Sequence, residues 1–191
     1  MIAIIDCWSN RVCDILRVVS KLWYDNEVFL MQDLLHKTWL CKWDFDWFSG
    51  IIISGSPITL SQENEKQYLS LFPFIGKITS PILGICFWHQ LIGHTFWSSY
   101  YNRDFIKWKH KIYPLDKSEM LFSWVQPIIF HENHEQHISL PNDFKLLADS
   151  DTCKNEAMKH KEKNIYWVQF HPEVSWRSGK TLLKNFRSLT H

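Results

Sequence analysis

Cys86 stands in the stretch GICFWHQ, between an apolar run that opens with Pro81 and a segment, LIGHTF, with helical spacing of apolar residues. A thiol at a strand-to-helix turn faces the free N–H groups of the helix start, which favour the thiolate, its nucleophilic form. Sharp turns of this kind want glycine, and Gly84 lies two residues earlier. A lone cysteine is more commonly a buried structural residue. What raises Cys86 above that is the stretch QFHPEV. His171 follows directly on the apolar run Ile165 to Phe170, and Pro172 stops that run from continuing as a strand. Glu173, two residues past His171, is placed to orient the imidazole. Nucleophile, base and orienting carboxylate thus follow one another as Cys, His, Glu. A second group needs weighing. His131, His134 and His137, spaced by three, could ligate a metal from one helix face. They follow the apolar run IIF and lack a helical core stripe, so a strand passing into a loop, with no metal, is the expectation.

The elements that would position these residues alternate along the chain. IAIID (Ile2 to Asp6), EVFLM (Glu27 to Met31), GIIISGSP (Gly50 to Pro57) and PILGIC (Pro81 to Cys86) read as buried strands or strands entering turns. Ser9 or Asn10 can cap a helix carrying Val12, Ile15, Leu16, Val19 and Leu22 on one face. His89 to Phe96 reads as a helix, and Ser178 opens a last amphipathic one with Leu182, Leu183, Phe186 and Leu189. From Ile128 onward IIF, FKLLA, EAMKH and IYWVQF read as a mixed or antiparallel group, with KHKEK as a solvated basic turn. The alternation predicts an α/β fold with a mostly parallel central sheet flanked by helices and a smaller antiparallel group. Ligands gather at the carboxyl ends of parallel strands, which is where Ser54 to Pro57, Cys86 and His171 to Glu173 fall.

Composition sets outer bounds. The chain has 191 residues, 46% apolar and 21% charged, and no internal repeat or linker, so one domain spanning 1–191 is expected. A net charge of +1 gives no electrostatic case for nucleic acid or a membrane surface. No apolar run approaches the roughly 18 residues of a membrane span, and the N-terminus reads as a strand rather than a signal peptide. Five cysteines without paired spacing point to a reducing compartment, hence a cytoplasmic location.

Three motifs carry a resemblance. PILGICFWHQLI resembles the nucleophile motif of class I glutamine amidotransferases, G-[IV]-C-x-G-x-Q. YWVQFHPEV resembles their His–Glu motif, and GIIISGSP their S-G-G-P oxyanion turn. DTCKNEAMKHKEKNIYWVQFHPEV, SGKTLLKNF, IIDCWSN and HENHEQHISLPNDFKLLADSD are similar to the GMP-synthase branch of the family, in its free-standing glutaminase form. The resemblance implies a flavodoxin-like fold and a Cys86–His171–Glu173 triad hydrolysing L-glutamine. It implies backbone N–H donors of Gly55 and Phe87 as the oxyanion hole, and Gln90, His134 and Glu135 at the amino-acid end of the substrate. No cofactor is implied in this chain. The sequence has no SGGxDS-type ATP-pyrophosphatase loop, so ATP and Mg²⁺ would belong to a separate synthetase subunit that converts XMP to GMP. A γ-glutamyl hydrolase or peptidase on the same scaffold is the alternative enzyme.

Two counts are abnormal: 6 glycines and 11 tryptophans, where usage of roughly 7% would give about 13 glycines. Trp8, Trp23, Trp88, Trp97, Trp124, Trp167 and Trp176 fall where the family pattern has or tolerates glycine. The codon UGA is decoded as tryptophan in some genetic codes and as glycine in others, so the expectation is that these seven are glycine codons. If they are true tryptophans, Trp88 would crowd the turn after Cys86 and the reading becomes an inactive binding module.

Overall fold

A computed structural model of the chain describes residues 1–23, 25–36, 45–58, 75–96, 98–116 and 118–190. The parallel strands come first. β1 (Ile2–Asp6), β3 (Gly50–Ile53) and β4 (Ile82–Ile85) are runs of Ile, Leu and Ala buried on both faces, the pattern of a sheet covered from both sides. β2 (Asn26–Leu30) pairs parallel to β1 at the edge and is mostly exposed. β10 (Ile165–Val168) pairs parallel to β4. Beyond β10 the same sheet turns antiparallel through β9 (Ala157–His160), β8 (Phe144–Asp149) and β6 (Tyr113–Pro114). The full order is β2-β1-β3-β4-β10-β9-β8-β6.

Side-chain alternation divides the core. Ala3, Ile5, Ile51 and Ile53 face one side of the sheet with Phe87, Leu91 and Ile92 of α3 (Phe87–Thr95). Ile2, Ile4, Ile52 and Leu83 face the other, against Ile15, Val19 and Leu22 of α1 (Val12–Trp23) and Leu182, Leu183 and Phe186 of α4 (Trp176–Ser188). The short α2 (Met31–His36) follows β2 directly. Arg11 N donates to Ser9 Oγ at 3.0 Å and Val12 N to the Ser9 carbonyl at 3.4 Å, so Ser9 caps the turn leading into α1.

A two-stranded antiparallel ribbon, β5 (Tyr100–Lys111) with β7 (Ile129–Ile138), forms a second sheet. The sequence did not announce β5, whose residues are charged and mostly exposed. HENHEQH lies wholly inside β7 rather than running into a loop. Its alternate residues Glu132, His134 and Gln136 are buried, so the strand has a period of two written in polar residues, which a hydropathy pattern passes over. The ribbon is bridged to the main sheet at His131 and His171. Among the described residues no helix is long and apolar enough to cross a membrane.

Candidate active site

The carboxyl ends of β3, β4 and β10 meet at one place. Cys86 continues β4, its N–H donating to the Val168 carbonyl at 2.8 Å, and its own carbonyl accepts from His89 N at 2.8 Å as α3 begins. Its φ of +53° lies in the left-handed region, a strained strand-to-helix elbow that pushes the side chain out of the sheet plane. Phe87 is the first residue of α3, so the thiol sits at the positive end of that helix.

His171 arrives on the neighbouring strand end. Its N–H donates to the His131 carbonyl at 2.8 Å, His131 N donates to Ser175 Oγ at 2.8 Å, and Ser175 Oγ donates to the His171 carbonyl at 2.5 Å. Pro172 then opens a 3₁₀ turn, Pro172–Val174, which carries Glu173 back beneath the imidazole. His171 Nδ1 and Glu173 Oε1 are 2.7 Å apart, with both residues buried. Nε2, on the other side of the ring, is also buried. Burial by itself would lower the proton affinity of His171. The negative charges of Glu173 and Cys86 outweigh it and hold the imidazole pKa well above its ordinary value. The arrangement therefore favours the protonated imidazole beside Cys86.

Ser54 and Gly55 close the third side. Cys7 N donates to Ser54 Oγ at 2.9 Å, and that hydroxyl donates to the Gly55 carbonyl at 3.0 Å. A Cβ on Gly55 would stand 3.2 Å from His171 Cε1 and 3.4 Å from Cys86 Cβ, so Gly55 packs directly against both side chains. A cavity of ≈ 200 Å³ opens here, lined by Cys86, Phe87, Gln90, Ser56, Asn133 and Glu135 among others. It is smaller than the sites that take drug-sized ligands and suits a single amino acid. Gln90 Nε2 donates to the Gln136 carbonyl at 2.9 Å, which ties α3 to the ribbon at the cavity wall.

Two groups near the thiol were not anticipated. Gln169 Nε2 lies 3.7 Å from Cys86 Sγ, and the Asn133 carbonyl lies 4.0 Å from it. Gln169 alternates with His171 at the end of β10, and that spacing was its only signal in the sequence. Asn133 acts through its backbone and left none.

His134 borders the cavity, but its ring is buried. Nε2 meets Glu132 Oε2 at 2.9 Å and Nδ1 meets the Gln136 carbonyl at 3.2 Å. Glu132, His134 and Glu156 each present a ligand-type atom within 4.8 Å of one another, and this is the described group with the donors for a metal ion. His131 and His137 are not in it. Glu132 Oε1 and Glu156 Oε2 are buried. Burial pushes Glu132 up to about 7 and raises Glu156 as well, and the Glu132 charge adds to the rise of Glu156.

Trp88 does not enter the cavity. Its ring turns into the core, stacked on Trp167 at 6.4 Å, with Nε1 2.7 Å from Cys7 Sγ. Trp97 and Cys41 lie outside the described residues, as does the side chain of Trp23.

Comparison with known proteins agrees with this geometry. The class-I glutamine amidotransferase family profile matches residues 3–188. The glutamine-hydrolyzing GMP synthase subunit of Pyrococcus abyssi is 38% identical over 144 residues, covering 74% of this chain and 75% of the relative. The same subunit of Thermoplasma volcanium is 33% identical over 187 residues, covering 94% and 85%. A crystal structure of a protein assigned as a GMP synthase subunit from Thermoplasma acidophilum superposes with a TM-score of 0.83 at 28% identity, covering 99% of this chain and 92% of that one. A glutamine amidotransferase from Thermotoga maritima shares the fold at a TM-score of 0.72 and 16% identity. The chain belongs to the class I glutamine amidotransferase family and is a glutamine amidotransferase whose relatives include the glutamine-hydrolyzing subunits of GMP synthase.

Proposed function

We propose that this chain is the glutaminase half of a two-subunit GMP synthase, with Cys86, His171 and Glu173 as its triad. The observation that carries the reading is the buried His171–Glu173 pair, 2.7 Å apart, beside a thiol held at an elbow with φ of +53°. The Cys86 thiolate attacks the carboxamide carbon of L-glutamine, and the carbonyl electrons move onto oxygen. Backbone N–H groups of Gly55 and Phe87 stabilise that oxyanion. His171 protonates the departing nitrogen, the C–N bond breaks, and ammonia leaves a γ-glutamyl thioester. Water then attacks the thioester with His171 as base, giving glutamate and the free thiol. Glu173 keeps the imidazole in the required tautomer and supports its positive charge. Gln90 and Glu135 at the cavity wall hold the amino-acid end of the substrate, and His134 acts from behind that wall. Ammonia passes to a synthetase subunit that activates XMP with ATP and Mg²⁺. The chain itself uses no cofactor, and the reaction takes place in the cytoplasm.

Treatment with a diazo-ketone analogue of glutamine tests the first step. The expected result is one adduct, on Cys86, with glutamine protecting against it. Cys86→Ala should abolish both labelling and glutamine hydrolysis while leaving the circular dichroism unchanged. Labelling spread over Cys7, Cys13 and Cys153, or none at all, would sink the assignment.

A further inference from the structure

Among the described residues, five that are not glycine have φ in the left-handed region: Trp8 at +59°, Cys86 at +53°, Trp108 at +79°, Trp124 at +58° and Trp176 at +48°. Cys86 has its elbow to explain it. The other four are all tryptophan, and no described glycine has positive φ. That is the reverse of what backbone sterics produce. Left-handed positions fall to glycine, then to asparagine and aspartate, whose short side chains bond locally. A bulky aromatic residue holds such a conformation only where its surroundings over-determine it. For three of the four, burial supplies no such constraint. Trp108, Trp124 and Trp176 are 66%, 91% and 83% exposed, so their rings gain little by burial.

The interior gives a second, independent sign. Trp88 and Trp167 are the two largest fully buried side chains. Trp88 Nε1 is pressed to 2.7 Å from Cys7 Sγ, a contact too short for a relaxed N–H to sulfur approach. Trp167 Nε1 is buried without a hydrogen-bond partner, which an interior indole normally finds. Its ring also lies against the Gly84 backbone, where a Cβ would meet Trp167 Cε3 at 1.6 Å.

We infer that positions 8, 108, 124 and 176, and with them 88 and 167, carry glycine in the protein the cell makes, each specified by a UGA codon decoded as glycine. Position 108 enters on backbone geometry alone, since no motif marked it. The inference does not depend on the reaction proposed above. With glycine at 88 and 167 the segment behind the nucleophile elbow carries no indole pair, and the strand that delivers His171 can pack closely on β4.

Tandem mass spectrometry of the native protein decides it. Trypsin releases residues 1–11, 78–103, 118–145 and 164–177 as separate peptides, which read positions 8, 88, 124, 167 and 176. A missed-cleavage peptide covers 108. Glycine at all six, with UGA at all six codons, is the expected result. Tryptophan at any of the four left-handed positions, or UGG at its codon, overturns the inference. A recombinant chain offers a check on the physical argument. Replacing Trp8, Trp108, Trp124 and Trp176 together by glycine is expected to raise the thermal midpoint of the chain with tryptophan at those positions. An unchanged or lower midpoint would mean the rings are accommodated and would remove the strain on which the inference stands.

Discussion

His171 is held protonated by charge rather than by exposure, and this makes its titration readable. The Glu173 carboxylate and the Cys86 sulfur keep its pKa well above the ordinary value, against the pull of burial. The protonated imidazole therefore persists until His171 loses its proton on the alkaline side. Glu173→Gln removes one of the two supporting charges, so the descending limb of the kcat/KM profile for glutamine hydrolysis should move to lower pH. The rate at the optimum should fall by roughly 10²–10⁴. An unmoved limb would show that Glu173 only braces the turn. Glu132 makes the opposite kind of prediction. Burial raises it to about 7, and Glu156 beside it is raised too. The folded state then binds protons that the unfolded state releases as pH climbs above about 4.5, so stability falls with rising pH. Glu132→Gln should flatten that slope, gaining on the order of 1–3 kcal/mol relative to the parent at pH 8 compared with pH 5, as read by urea unfolding at the two values. Cys86, His171 and Glu173 could be singled out in the sequence because the chemistry proposed for them restricts both their type and their spacing. Glu132 and Glu156 were not. Two carboxyls facing one another in a core contradict the ordinary burial preference, and only the folded chain brings Glu132 of β7 and Glu156, just before β9, together.

At the scale of elements, the parallel strands could be read within a residue or two, since runs such as Ile51 to Ile53 leave little alternative. Of the β5–β7 ribbon only the start of β7 could, because β5 is largely polar and exposed and the rest of β7 buries polar residues. That ribbon nevertheless positions the site through the His131–His171 bridge and the Gln136 carbonyl that holds Gln90. The close approach of α4 to the Pro172 turn is a second feature the sequence hides. A Cβ on Gly179 would stand 1.7 Å from the Pro172 carbonyl oxygen, which is backbone and cannot swing aside. Gly179→Ala should therefore push the turn carrying His171 and Glu173 off its seat. The expected loss is about 1–3 kcal/mol of stability, with a fall in kcat larger than the change in stability would account for. Gly93→Ala is the contrast. Its new methyl would meet Ile138 Cδ1, the free end of a flexible side chain, and glutamine hydrolysis should survive with a smaller shift in thermal midpoint. Equal damage from both would mean that α4 is not what fixes the turn.

For the whole molecule the question is where ammonia goes. The family match takes up residues 3–188, and the ≈ 200 Å³ cavity at Cys86 is on the scale of one amino acid. On the function proposed above, the nucleotide acceptor and the machinery to activate it belong to a separate synthetase subunit. An enzyme that released ammonia without an acceptor would waste glutamine, so the triad should be coupled to the occupancy of that other centre. The β5–β7 ribbon offers a physical route for such coupling. It carries the mostly exposed strand β5 on one side and the His131, Asn133 and Gln136 contacts to the site on the other. The isolated chain should therefore hydrolyse glutamine slowly. Adding a GMP-synthase synthetase subunit with XMP, ATP and Mg²⁺ should raise the rate by roughly 5–150-fold, the usual span of coupling between two sites. The subunit without XMP and ATP should give much less. The measurement is glutamate release under each condition, with Cys86→Ala as the blank. Full activity of the chain alone, indifferent to every addition, would instead mark it as a free-standing γ-glutamyl hydrolase on the same scaffold.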